Sequence, residues 1–117
     1  MWVILTPAYC RESVKPVMHG KGELVIGRGN HCGMQILVPD MSRSHCRLRV
    51  RDDEVTVYDL ESRNGTFVNG ERIYDERRLE NADLLGLGST LLVVELRGDD
   101  DPPTGSSAAR GSSTVKK

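Results

Sequence analysis

The sequence has no basic excess: Lys and Arg number 16 against 17 Asp and Glu, a formal net charge of −1 at pH 7. A general nucleic-acid or membrane-surface binder usually carries such an excess, so both classes are disfavoured. No apolar run approaches the roughly 20 residues that a membrane-spanning helix needs. The opening MWVILTPAYC lacks a basic flank and its apolar run stops at Thr6-Pro7, which argues against a signal peptide and for a cytoplasmic protein. Cysteine is scarce and odd in number, at Cys10, Cys32 and Cys46. Structural disulfides are therefore not expected, and buried or half-buried thiols are. No segment repeats the helical period, and no internal repeat is present.

What the chain does have is a succession of short apolar segments separated by turn formers. WVILT (2–6) and ELVIGR (23–28) read as strands. HCRLRVRDDEVTVYDL reads as a hairpin: Cys46, Leu48 and Val50 alternate with Arg47, Arg49 and Arg51, the turn falls at Asp52-Asp53, and Val55 and Val57 begin a second alternation. TFVNGERI is a second hairpin with its turn at Asn69-Gly70. STLLVVEL (89–96) is apolar enough for a strand buried on both faces. Many short strands without helices mean a β-sandwich or barrel. The chain divides near residue 97: residues 1–96 form one domain, and RGDDDPPTGSSAARGSSTVKK (97–117) has the composition of a flexible tail or linker.

Loops at the end of such a frame are where binding residues usually sit. In IGRGNHC, the run Gly27-Arg28-Gly29 resembles a dinucleotide fingerprint, but position 32 is Cys and no βαβ unit surrounds it. An arginine at a strand end, flanked by glycines, remains. The pairs His31-Cys32 and His45-Cys46 lack the spacing of a structural zinc site, and Cys46 falls on the core side of its strand. MSRSH (41–45) holds Ser42, Arg43 and His45 without the nucleophile elbow of a hydrolase. His45 is placed to bond the loop backbone, so that Ser42 and Arg43 point outward. ESRNGTFVNG (61–70) admits three readings: paired hairpin turns, a glycan acceptor at Asn64-Gly65-Thr66, or a polar loop that holds an anion. The glycan needs secretion, which the opening of the chain argues against.

Brought to one end of a sandwich, Arg28, Ser42, Arg43, Ser62, Arg63 and Asn64 supply guanidinium, hydroxyl and amide donors, with Asp40 and Glu61 as the nearby carboxylates. Guanidinium matches phosphate bidentately, and a primary amide grips a peptide backbone through both its atoms. That combination suits a phosphorylated peptide.

In order and spacing the motifs resemble those of the forkhead-associated (FHA) domains: Gly27-Arg28, then Ser42-Arg43-Ser44-His45 fourteen residues on, then Ser62-Arg63-Asn64-Gly65-Thr66 and Asn69-Gly70. The resemblance covers about residues 2–96. It implies an all-β, two-sheet sandwich of about eleven strands that binds phosphothreonine peptides through loops at one end, without catalysis, cofactor or metal. By the same resemblance Arg28 and Ser42 contact the phosphate with Arg43 beside them. Asn64 holds the peptide backbone, and position 63 touches phosphate or peptide. Gly27, His45, Gly65, Thr66 and Asn69 are scaffold. Two departures stand out. Acidic residues common after the position of Cys32 and midway to Ser42 are here Gly33 and Leu37-Val38. A common Gly-Asp turn is Ala82-Asp83, a cost if that position needs a positive φ.

A second class of reading is a phosphorylation-independent assembly domain, suggested by the apolar loop Met34 to Val38. A hydrolase built on Ser42 and His45 is a third. The expected partner is a phosphothreonine-bearing protein, the product of a Ser/Thr kinase. The tail adds a sharper version: Thr104 or Thr114, once phosphorylated, occupies the chain's own or a neighbour's site, against the plainer reading of an inert linker.

Overall fold

The computed structural model describes residues 1–100. Eleven strands follow one another: β1 (Trp2–Tyr9), β2 (Val17–His19), β3 (Gly22–Gly27), β4 (Met34–Gln35), β5 (Cys46–Val50), β6 (Val55–Asp59), β7 (Thr66–Val68), β8 (Glu71–Ile73), β9 (Glu76–Leu79), β10 (Leu84–Leu87) and β11 (Thr90–Arg97). There is no helix among the described residues. The strands form two sheets, one ordered β2-β1-β11-β10-β7-β8 and the other β4-β3-β5-β6-β9. The fold is an all-β sandwich, as the sequence implies.

Alternation explains how the two sheets close on each other. In β5, Cys46, Leu48 and Val50 are buried while Arg47 and Arg49 are partly exposed. The exposed set stays solvated because a strand sends successive side chains to opposite faces. Tyr58 receives both guanidiniums over its ring, with Arg47 Cζ 4.8 Å and Arg49 Cζ 5.8 Å from the centroid. Leu24 and Ile26 of β3 and Val55 and Val57 of β6 join the buried row, facing Val3 and Leu5 of β1 and Leu92 and Val94 of β11. The 46–59 hairpin turns over Arg51–Glu54, where the Arg51 amide bonds the Glu54 carbonyl at 2.8 Å. Asn69 (φ 53°) and Gly70 (φ 85°) both adopt the left-handed conformation of a two-residue hairpin turn, as the Asn-Gly pair predicts.

Two expectations fail. The last strand is not buried on both faces: Thr90, Leu92 and Val94 are buried, while Leu91 is exposed and Val93 and Glu95 are only partly covered. Its outward face is an open side of the six-stranded sheet rather than an interior layer, so apolar composition alone overstated its burial. The apolar loop Met34–Val38 is not an exposed docking segment either. Met34, Ile36 and Val38 are in the core and Leu37 is the one apolar side chain of the loop that projects, at 61% exposure, so the sequence support for an assembly domain falls away. Strand β11 ends at Arg97, one residue past the expected domain limit, and residues 101–117, with Thr104 and Thr114, lie outside the described residues.

Candidate functional site

Three junctions meet at one end of the sandwich. The first is the end of β3, where Gly27 passes so close to the next segment that a Cβ there would lie 2.4 Å from the Arg43 carbonyl oxygen. Any side chain would drive the two backbones apart. That approach permits the Arg28 and Gly29 amides to bond the Ser42 and Arg43 carbonyls at 2.9 and 3.0 Å. The β3 end and the 41–45 loop therefore move as one body.

His45 ties in the third junction. It is 0% exposed, its Nδ1 accepts the Ser42 amide at 3.1 Å, and its Nε2 lies 2.8 Å from the Gly65 carbonyl oxygen. A carbonyl only accepts, so Nε2 carries the proton and the ring is the neutral tautomer. Burial pushes its pKa below the ordinary histidine value, against a bond to Gly65 and the charges of Asp59 and Asp40, which act the other way. The ring thus fixes 41–45 against 62–66 through two backbone contacts. It is not a general base for Ser42: both nitrogens are occupied, and the Ser42 hydroxyl accepts instead from the Arg63 amide at 2.9 Å. The hydrolase arrangement is not built.

Around this brace, Arg28, Pro39, Asp40, Met41, Ser42, Arg43, Arg63 and Asn64 line an open pocket of about 260 Å³. Arg28, Arg43, Arg63 and Asn64 are exposed and Ser42 is partly so. The Arg28 Nε donates to the Met41 carbonyl at 3.1 Å, which aims the guanidinium and leaves both terminal nitrogens for a ligand. The Ser42 hydroxyl is held by accepting from Arg63, so its own proton remains to be donated. Asn64 Nδ2 donates to the Asp40 carbonyl at 2.9 Å, which orients the amide while its oxygen and second proton stay available. Five of the six residues expected to bind are thus brought together.

Ser62 is the exception. It is 7% exposed, and its hydroxyl and amide both bond the Asp59 carboxylate, whose Oδ1 also accepts the Thr66 hydroxyl at 2.7 Å. Ser62 braces the loop from behind and does not face the pocket. Asn69 also braces a turn, away from the pocket. Its side chain bonds Asp83 and the Leu84 amide, joining the β7–β8 turn to the start of β10, at the end of β7 away from Thr66. Gly27, His45, Gly65 and Thr66 are the scaffold, with Gly65 at φ 94° giving the loop its bend.

Two residues that the motifs did not single out hold the site together. Asp59 is the hub of the 59–66 loop, and its Asp-x-x-Ser spacing is the signal that could have found it. Asp40 presents its carbonyl to Asn64 and its carboxylate to the Ser89 amide at 2.7 Å. Hydrogen bonding from Ser89 holds the Asp40 carboxyl below its ordinary range. A sequence gives no hint of a contact across 49 residues. For the cysteines, Cys46 is fully buried and Cys32 bonds the Arg43 carbonyl, and burial raises both thiols.

The FHA domain family model matches residues 24–88. This chain belongs to the FHA family. The glycogen accumulation regulator GarA of Mycolicibacterium smegmatis is 37% identical over 116 residues, covering 83% of this chain and 72% of that protein. The mouse proliferation marker protein Ki-67 is 34% identical over 61 residues, 52% of this chain, and the match spans 2% of that much longer protein. Among solved structures, an FHA domain studied for its phosphothreonine-dependent interactions superposes with a TM-score of 0.75 at 27% identity, covering 83% of this chain and 98% of its own. Residues 24–88 run from β3 to the turn after β10, so the matched region includes all three junctions of the site.

Proposed function

We propose that this FHA domain binds phosphothreonine-containing peptides of partner proteins at the Arg28–Ser42–Asn64 pocket, as a non-catalytic signalling module in the cytoplasm. The observation that carries the reading is the set of pre-aimed donors around one open pocket: the Arg28 terminal nitrogens, the Ser42 hydroxyl and the Asn64 amide, each already fixed by a bond that leaves its ligand-facing group free. A threonine phosphate brings a charge of about −1.5 to −2 and three acceptor oxygens. Arg28 meets two of those oxygens and Ser42 a third, with Arg43 and Arg63 adding charge at the rim. Asn64 takes the backbone next to the phosphothreonine through its Oδ1 and second Nδ2 proton. Each charge-assisted bond contributes roughly 1.5–3 kcal/mol, and ordering the peptide offsets part of the sum. The expected net is about −8 kcal/mol, a micromolar affinity suited to reversible signalling. Calorimetric titration with matched phosphothreonine, phosphoserine and unmodified peptides tests it. Binding in that order of affinity supports the reading, and equal binding of all three would sink it.

A further inference from the structure

We propose that Arg11, on the loop after β1, is a second anion-binding residue beside the pocket, and that the ligand is a phosphothreonine peptide with a further acidic group, carboxylate or phosphate, on the flank that crosses Asp40. This rests on the phosphothreonine reading above and adds to it one residue of the chain and one feature of the ligand. Arg11 lies outside residues 24–88, so the motifs of the matched region do not include it.

The described arginines divide by their partners. Arg47, Arg49, Arg51, Arg77, Arg78 and Arg97 lie against carboxylates, and Arg72 lies over the Tyr74 ring. The guanidiniums of Arg11, Arg28, Arg43 and Arg63 have neither a carboxylate nor a ring against them among the described residues. Three of these line the pocket. The fourth, Arg11, stands on the rim of the same end. Backbone pairing puts it there: β1 ends at Tyr9, opposite Leu91 of β11, and Cys10 Sγ lies 3.7 Å from the Thr90 hydroxyl. One residue before Thr90, Ser89 donates its amide to the Asp40 carboxylate at 2.7 Å. Arg11 itself is exposed.

Asp40 links Arg11 to the peptide path. Its carboxyl is held below the ordinary range, first by bonding from Ser89 and in smaller part by the Arg11 charge. The two side chains do not lock together, however. Asp40 Oδ2 accepts from Ser89, its buried Oδ1 has no partner, and no ion pair joins it to Arg11. The Asp40 carbonyl accepts from Asn64 Nδ2 at 2.9 Å. Asp40 thus stands between the amide that takes the peptide backbone and the free Arg11 guanidinium, and a peptide leaving Asn64 over Asp40 meets Arg11 next. An ionised Asp40 alone repels an acidic side chain on that path. Arg11 reverses the sign, with Glu12 as the other acid of its loop. The phosphate does not need Arg11. It brings about −1.5 to −2 charges, which Arg28, Ser42 and the rim arginines already meet. The guanidinium that remains is matched by a second anion.

The test is a double-mutant cycle between protein and peptide. Short phosphothreonine peptides are titrated into the full chain and into its Arg11→Gln and Arg11→Lys variants, with Arg51→Gln, in the turn at the opposite end, as the control. A peptide with neutral flanks is the reference, and a single aspartate or phosphoserine is moved through the flanking positions on each side. On one flank only, aspartate should tighten binding about threefold at 0.15 M salt, and phosphoserine about fivefold or more. Both gains should vanish in Arg11→Gln and persist in Arg11→Lys and Arg51→Gln, while the neutral peptide keeps its affinity within about twofold throughout. A gain from phosphoserine without one from aspartate supports the proposal and identifies the second anion as a phosphate. Four results would overturn it: no gain from either anion, equal gains in parent and Arg11→Gln, equal gains on both flanks, or a loss in Arg11→Gln that neutral and acidic peptides share. Failure of the underlying reading looks different. In that case no phosphothreonine peptide, neutral or acidic, binds the parent chain, and the proposal falls with it.

Discussion

Arg28 and His45 sit 17 positions apart in the sequence and do opposite work at one site. Arg28 is exposed, and its side-chain bond to the Met41 carbonyl aims it outward. Arg28→Ala should therefore leave the unfolding midpoint within about 0.5 kcal/mol of the parent while lowering phosphothreonine-peptide affinity by at least about a hundredfold, the loss of a bidentate charge-assisted pair. Titration calorimetry alongside a denaturant melt separates the two effects. His45 is buried and its two ring nitrogens join two loops, so His45→Ala leaves the Ser42 amide and the Gly65 carbonyl without their partner. It should destabilise by about 2–4 kcal/mol and weaken binding as well. The same ring gives a pH signature. Its folded pKa is depressed, mainly by burial, so the unfolded chain takes up the proton first as the pH falls. Stability from this group is full above the unfolded value near 6.5 and is lost as the pH drops towards the depressed folded value. The loss can reach about 1.4 kcal/mol per pH unit. Melts at pH 7.5 and 5.5 should show a larger drop for the parent than for His45→Gln; an equal drop would place the titration elsewhere.

At the scale of elements, the legible parts were those whose local pattern matches their final surroundings. The β5–β6 hairpin, with its period-two rows and Asp52-Asp53 turn, and the Asn69-Gly70 turn follow from neighbours in sequence. Strands β2, β4, β9 and β10 did not stand out, because β2 and β4 have three and two residues, β9 (ERRL) buries only Leu79 fully, and β10 (LLGL) is a four-residue run interrupted by Gly86. Their pairing comes from the partner strand, not from their own composition. Ser62 and Asp59 show the corresponding limit at the site. A serine beside Arg63 and Asn64 reads as a ligand donor until a carboxylate three residues upstream claims its hydroxyl. The departure at Ala82 was legible and turned out to matter: it stands at φ 74°, in the left-handed region where a glycine would have no penalty. Ala82→Gly should stabilise the domain by about 0.5–1 kcal/mol without changing peptide affinity, since the turn bonds Val94 and lies off the pocket. In contrast, Gly27→Ala puts a methyl 2.4 Å from the Arg43 carbonyl oxygen, a backbone atom that cannot swing aside. A loss of about 1–3 kcal/mol and of binding together is expected, read by thermal melts and the same titrations.

For the whole molecule, the net charge of −1 means that no overall field draws an anionic ligand in; attraction is confined to the end where Arg28, Arg43 and Arg63 gather. The opposite end of the sandwich carries Asp100 and Asp99, the latter paired with the Met1 amino group. This distribution has a measurable consequence. At 0.15 M ionic strength the Debye length is about 8 Å, long enough for the three arginines to act together on a bound phosphate but too short for the distant aspartates to oppose it. Raising the salt from 0.05 to 0.5 M should therefore weaken phosphopeptide binding about three- to tenfold, chiefly through a slower association rate. The same change should hardly alter the melting temperature, because the apolar rows between the sheets are indifferent to screening and the ion pairs are exposed, as Lys21–Asp52 and Arg77–Glu71 are. Stopped-flow association and thermal melts over one salt series read both quantities. A melting temperature that tracked the affinity would mean that the arginines are held in a structural ion network, and the division between a screened site and an unscreened frame would not hold.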